Sequence, residues 1–217
     1  GHHPPRSPPA APQQASHMPS TPSLWLPPIP GLHRRDPEHR YQLGDVTFPV
    51  SVTGVLAVLK SDYALARIEA TRANWEPRGN SCHRALELFL GTMRPDDPSA
   101  ALDELQGLSD GPYGEWIAPL LCHPRWNQLQ VIASERPTCC VSRRVAGTFD
   151  CAYIDPDLAI PSERPATASG PARVLADLKS LGENGSTYST AAQLGGYMAL
   201  EATHGRSEEH TSELQSR

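Results

Sequence analysis

The chain's 217 residues suit one ordinary domain with additional segments, and 38% hydrophobic with 20% charged residues is what a soluble globular protein shows. A net charge of -5 excludes a general attraction for phosphate backbones, so any nucleic-acid contact has to come from local basic residues. Five cysteines without regular spacing argue against a disulfide framework and for a reducing, cytoplasmic setting, and the absence of any apolar run near ~20 residues or of signal-peptide order argues against membrane attachment.

In chain order, residues 1–30 are dominated by Pro, Ser, Ala and Gln, with Pro4-Pro5, Pro8-Pro9 and Pro27-Pro28 removing backbone donors. A disordered segment is expected; a proline-rich ligand for a partner domain is the alternative. His2-His3 reads as a tag remnant or chance, not a metal site. Val52, Val55, Leu56, Leu59, Tyr63 and Ile68 recur at three- and four-residue steps, predicting one or two amphipathic helices with Ser51 as N-cap. Pro77-Arg78-Gly79-Asn80 reads as a turn, after which Cys82, Ala85, Leu86, Phe89 and Leu90 predict a helix ending at Gly91. Residues 98–121 read as short helical pieces broken by glycine and proline.

From Leu129 the pattern turns to strands: 129–135, 139–143 and 145–154. Residues 155–171 predict a long hairpin loop, 173–178 another strand, and 182–186 a Gly-rich link. Ala191, Leu194, Tyr197 and Met198 mark a helix to about Ala202. Helices, then three or four strands, then a helix describe an α/β domain with a mixed β-sheet and no repeating βαβ unit. Residues 206–217 resemble the translation of a common sequencing-library adapter. They are therefore set aside from fold reasoning as an adapter-derived tail, with the gene expected to be cut near Gly205 and the domain of residues 41–205 to be C-terminally truncated.

Two acidic positions carry the chemistry. Asp150 ends one apolar run, and Asp177 lies in another, opening Asp177-Leu178-Lys179. Along a strand, Asp177 and Lys179 share a face while Leu178 turns to the core. If Asp150 lies on a neighbouring strand, two carboxylates converge where Mg²⁺ can bridge them, and Lys179 stands beside the metal to orient or deprotonate water. Taken alone, Asp-x-Lys reads as an exposed strand face with a weak ion pair. Gln193 and Tyr197, four residues apart, share one face of the last helix.

Together, residues 49–53, Arg78-Gly79 with His83 and Glu87, Ser134-Glu135, Ala146-Gly-Thr-Phe-Asp150, Asp177-Leu-Lys179 and Gln193-Leu-Gly-Gly-Tyr197 resemble the ordered motifs of RecB-like and phage exonucleases of the PD-(D/E)XK superfamily, over residues 41–202. The resemblance implies a restriction-endonuclease-like αβββαβ core that hydrolyses DNA phosphodiesters with Mg²⁺ or Mn²⁺, in phage biology, recombination or DNA repair, in a bacterial or phage-infected cell. DNA is the implied partner; a recombination or helicase protein is a further possible one.

By that resemblance His83, Asp150, Asp177 and the Leu178 carbonyl hold metal, Lys179 is the catalytic lysine, and Gln193 and Tyr197 support the site and contact DNA. Glu87 and Glu135 sit where related sequences carry acids. Outside the resemblance, His83 can instead bond Glu87 along the helix, and Gln193 and Tyr197 can simply pack it on the sheet. No iron–sulfur cluster is expected, because Cys139-Cys140 are adjacent on a strand and point to opposite faces. Two rivals stand beside the nuclease: a module that binds DNA or a protein without cutting, and a zinc hydrolase using His83, Cys122 and His123.

Overall fold

A computed structural model of the chain describes residues 24–36, 39–94, 102–158, 172–182, 185 and 189–204. The adapter-like tail, most of the Pro-rich segment and most of the 155–171 loop lie outside them.

The structure is mixed α/β. Its main sheet is built around β6 (Val145–Asp155), which pairs along its whole length with antiparallel β5 (Gln130–Cys140). The other edge of β6 is shared. The two-residue β4 (Val50–Ser51) runs parallel to its start, with Ser51 opposite Ala146, and β7 (Ala172–Ala176) runs antiparallel to its end, with Ala176 opposite Cys151. Between those two partners, residues 147–150 face no strand on that edge among the described residues, and the candidate site opens there.

A separate antiparallel meander, β1 (Leu32–Arg35), β2 (Arg40–Leu43) and β3 (Val46–Phe48), precedes this sheet. Its Leu32, Tyr41 and Phe48 bury against Cys139 and Ala146 of the main sheet.

Two helices frame the sheet. The long α3 (Arg72–Gly91) buries Leu86 and Leu90 with Val131 and Cys151, while α6 (Thr190–His204) buries Tyr197 and Leu200 with Ile132, Phe149 and Ala152. Glycine lets α6 approach closely: a Cβ at Gly196 would lie 2.9 Å from Val52 Cγ1, and one at Gly147 would lie 2.7 Å from Tyr197 Cε1. The shorter α4 (Leu102–Ser109) and α5 (Gly114–Leu121) pack beside α3 through Ile117, Leu105 and Leu108, matching the short pieces expected there.

Ser51 caps α1 (Val52–Ala57), its hydroxyl accepting from Gly54 N at 3.0 Å, and α2 (Asp62–Ala70) follows behind Ser61. Most of the predicted apolar stripe is not used: Val52 is buried and Leu56 partly so, while Val55, Leu59, Tyr63 and Ile68 are exposed.

Three local expectations are corrected. The turn expected at residues 77–80 is helix, with Pro77 inside α3. Pro77 and Ala73, whose carbonyl loses its helical donor, are both exposed, so water can satisfy the freed group. The strands expected at 129–135 and 139–143 are one strand that ends at Cys140, with residues 141–144 a turn; it runs through Pro137, in register opposite Thr148, because among the described residues the strand has no second partner. Finally, packed chain begins before Pro30: Leu26 N donates to Ile132 O at 2.7 Å, and Trp25 joins the cluster around Leu86 and Leu90.

Candidate active site

The gap in the sheet brings three chain segments together. From β6, Asp150 points toward α3, where His83 Nδ1 lies 3.2 Å from Asp150 Oδ1. His83 belongs to the edge of the α3 face that buries Cys82, Ala85 and Leu86. On β5, the register sets Ser134 opposite Cys151 and Arg136 opposite Phe149, which brings Glu135 alongside Asp150. Glu135 has φ +44, a left-handed conformation uncommon for a residue with a side chain, held by the pairing on either side of it.

The third segment leaves β7. Because Ala176 pairs with Cys151, the chain reaches Asp177 level with Asp150, and the Leu178 amide donates to Asp150 Oδ2 at 2.5 Å. Leu178 itself packs inward, against the clusters of α3. Asp177 and Lys179 share the opposite face and form an ion pair. Gln193, buried on α6, closes the arrangement: its Nε2 donates to Asp177 Oδ1 at 2.9 Å, its Oε1 accepts from Lys179 Nζ at 3.0 Å, and Nε2 also lies 3.3 Å from the Tyr197 hydroxyl. The amide's orientation follows, since only its oxygen can accept from the ammonium.

Charge is concentrated here. Burial, then the charges of Asp150 and Glu87, push the Glu135 carboxyl up to about 7. Burial and the Asp150 charge also raise Asp177, against the opposing pull of Lys179. Burial alone would lower His83, but its bond to Asp150 and the charges of Asp150, Glu135 and Asp177 outweigh it and hold the imidazole above its ordinary value. A divalent cation would relieve this crowding of carboxylates. His83, Glu135 and Asp150 offer ligand atoms all within 4.8 Å of one another, a spacing one cation with bonds of about 2–2.5 Å can gather. One imidazole nitrogen and two carboxylate oxygens fit such an ion.

Protein-family models, curated proteins and solved structures were compared with the chain, and none of them matches it.

The expected site residues thus fall into two linked groups. His83, Asp150 and Glu135 form the cation-type trio; Asp177, Lys179, Gln193 and Tyr197 form a hydrogen-bonded network; the Leu178 amide joins the two. Asp177, expected as a metal ligand, has its carboxylate hydrogen-bonded to Gln193 and ion-paired with Lys179. Glu87 lines the same cavity but is bonded to Arg84 at 2.7 Å. Cys122 and His123 are elsewhere, at the end of α5, where His123 Nδ1 accepts from Arg125 N. The trio is the one such cluster found among the described residues, so it contains neither of the other two zinc ligands considered.

The trio opens into a cavity of about 800 Å³. Its far wall comes from the β1–β2 meander, whose Arg34, His39 and Tyr41 carry no motif in the sequence. Arg34 is held by Asp36 at 3.0 Å and lies 2.5 Å from His39 Nδ1, and the Tyr41 hydroxyl lies 2.8 Å from Thr148 Oγ1. Only the packing of the meander on the sheet makes them part of the site.

Proposed function

We propose that the chain is a divalent-metal-dependent deoxyribonuclease of the PD-(D/E)XK superfamily, RecB-like or phage-exonuclease in type, with the restriction-endonuclease-like core that this implies. The observation that carries this reading is the meeting of Asp150, on β6, with Asp177, the first residue past antiparallel β7, with Lys179 two residues on and tied to Gln193. An isolated Asp-x-Lys on a solvated strand face would not be built into a buried network.

His83, Glu135 and Asp150 are the residues that would hold Mg²⁺ or Mn²⁺. When bound, such an ion supplies Lewis acidity toward a phosphoryl oxygen and lowers the pKa of water. The chain's own groups do the rest. Asp177 and Gln193 together fix the Lys179 ammonium, which is then preorganised to orient water and to stabilise charge growing on phosphorus. Tyr197 supports Gln193 from the same helix. Asp150 is itself held by His83 and the Leu178 amide, so its carboxylate needs little rearrangement.

The test is to offer the purified chain linear and circular DNA with Mg²⁺ or Mn²⁺, beside Lys179→Ala and Asp177→Asn. Cleavage by the wild type that both substitutions abolish is expected; comparison of the two DNA forms separates end-dependent from internal cutting. Equal cutting by all three proteins would overturn the site, and binding without cutting would favour a non-catalytic DNA-binding module.

A further inference from the structure

A second cavity, of about 530 Å³, adjoins the first through Asn80 and His83, which line both. It lies between α2, the start of α3 and the chain following Lys179. Its character differs. Ile68, Trp75 and Leu181 give it apolar walls, Arg67, Arg78 and Lys179 give it positive charge, and among the described residues no acidic one lines it.

Trp75 is held in place. Its indole N–H donates to Ile68 O at 3.0 Å, which fixes the ring by a bond within the fold; the Arg72 guanidinium lies 5.8 Å from the ring centroid on one face, and the other face is the one a ligand can stack on. Arg78, whose guanidinium stacks 4.2 Å from the centroid of Trp116, donates to Ser180 O at 2.9 Å and pins the chain just after Lys179 against α3. Lys179 therefore has one side in the Asp177–Gln193 network and the other in this cavity.

A flat aromatic ring with cations and no anions around it is the composition used to bind the bases of single-stranded nucleic acid, where stacking and backbone charge act together. The volume falls in the range of small-ligand pockets, about 300–1,000 Å³, and suits one nucleotide. We infer that this cavity receives a nucleobase of an unpaired DNA strand, stacked on Trp75, next to the phosphate at the carboxylate cluster. The inference rests on the phosphodiester reading for its choice of ligand. It adds a substrate class: a strand unpaired at the residue flanking the scissile bond.

Binding is measured in chelator, so that nothing is cut, by the anisotropy of a labelled short oligothymidylate and of its abasic counterpart with the same sugar–phosphate backbone. The wild type is expected to bind the base-bearing strand about tenfold more tightly than the abasic one, and Trp75→Ala to lose that preference. Trp75→Phe keeps a stacking ring, so it retains most of the preference while losing the quenching of intrinsic fluorescence that the wild type shows. It also decides the matter should Trp75→Ala fail to fold by circular dichroism.

Equal affinity for both strands without quenching, in a protein that still cuts DNA with Mg²⁺, would overturn the base pocket and leave the nuclease reading standing. A base-dependent affinity and quenching in a protein that never cuts would support the pocket and overturn the chemistry. Neither binding nor cutting would overturn both.

Discussion

The amide N–H of Leu178 reaches Asp150 Oδ2 at 2.5 Å, joining the end of β7 to the middle of β6 where the sheet has no other strand. That bond places Asp177 and Lys179 on one side of Asp150, while His83 and Glu135 approach it from α3 and β5. Each side makes its own prediction.

On the trio's side, cation affinity should track its members. His83→Ala and Glu135→Ala are each expected to weaken Mn²⁺ binding tenfold or more, measured by calorimetry or by the metal-dependent rise in melting temperature. Glu87→Ala, whose carboxylate is already bonded to Arg84, should change it much less. Equal losses from all three would sink the assignment of the trio.

Gln193 bonds both Asp177 and Lys179. Gln193→Ala should cost about 1–3 kcal/mol in urea unfolding, because it leaves buried partners unsatisfied. Cleavage should fall at least ~10-fold in kcat with DNA affinity nearly unchanged, since the ammonium loses its orientation rather than its charge. A change confined to KM would contradict a positioning role.

Metal-free stability should fall as pH rises from about 5 to about 8. Glu135 passes from an ordinary value of 4.5 in the unfolded chain to about 7 when folded, so folding takes up a proton in that window and the folded state is penalised above it. His83 has the same sign: with its folded value raised, its stabilisation is present below the ordinary value of 6.5 and is lost as pH climbs through the folded one. Together they are worth on the order of 3 kcal/mol, or roughly 5–10 °C in melting temperature. Glu135→Gln should flatten the profile, and Mn²⁺ should stabilise most at the alkaline end. A flat wild-type profile would count against burial of these charges.

Gly147 is required by packing. Gly147→Ala puts a methyl 2.7 Å from the Tyr197 ring and 3.2 Å from Val52 Cγ2, both in the buried cluster under α6. A loss of about 2–3 kcal/mol in chemical denaturation is expected. Gly147→Ala combined with Tyr197→Phe should gain nothing back, because the clash is with the ring and not the hydroxyl.

Local order was largely legible in the sequence. The three- and four-residue steps of Cys82, Ala85, Leu86 and Leu90 mark the buried face of α3, the hydroxyl of Ser51 caps α1, and Gln193 and Tyr197 share a helix face, because these depend on residues within a turn or two of one another. The alternation in Asp177-Leu178-Lys179 likewise sends Leu178 to the core and pairs its neighbours. Pro77 shows where local rules stop, since an exposed helix that packs through its other face tolerates a proline that a sequence reads as a turn.

What tertiary structure alone decided is who meets whom. Glu135 joins His83 and Asp150 because an antiparallel register, not a motif, sets it beside Asp150; Asp177 turns to Lys179 and Gln193 because α6 packs close over Gly147. Arg34 and Tyr41 enter the cavity only through burial of the meander on the sheet. Opening with composition, the chain's charge of -5 argues mildly against any polyanion. The fold answers locally, by gathering carboxylates into one cavity and lining the adjoining one, among the described residues, with apolar groups and cations. Net charge sums over the whole surface, whereas a ligand responds to the few groups within a Debye length of where it sits.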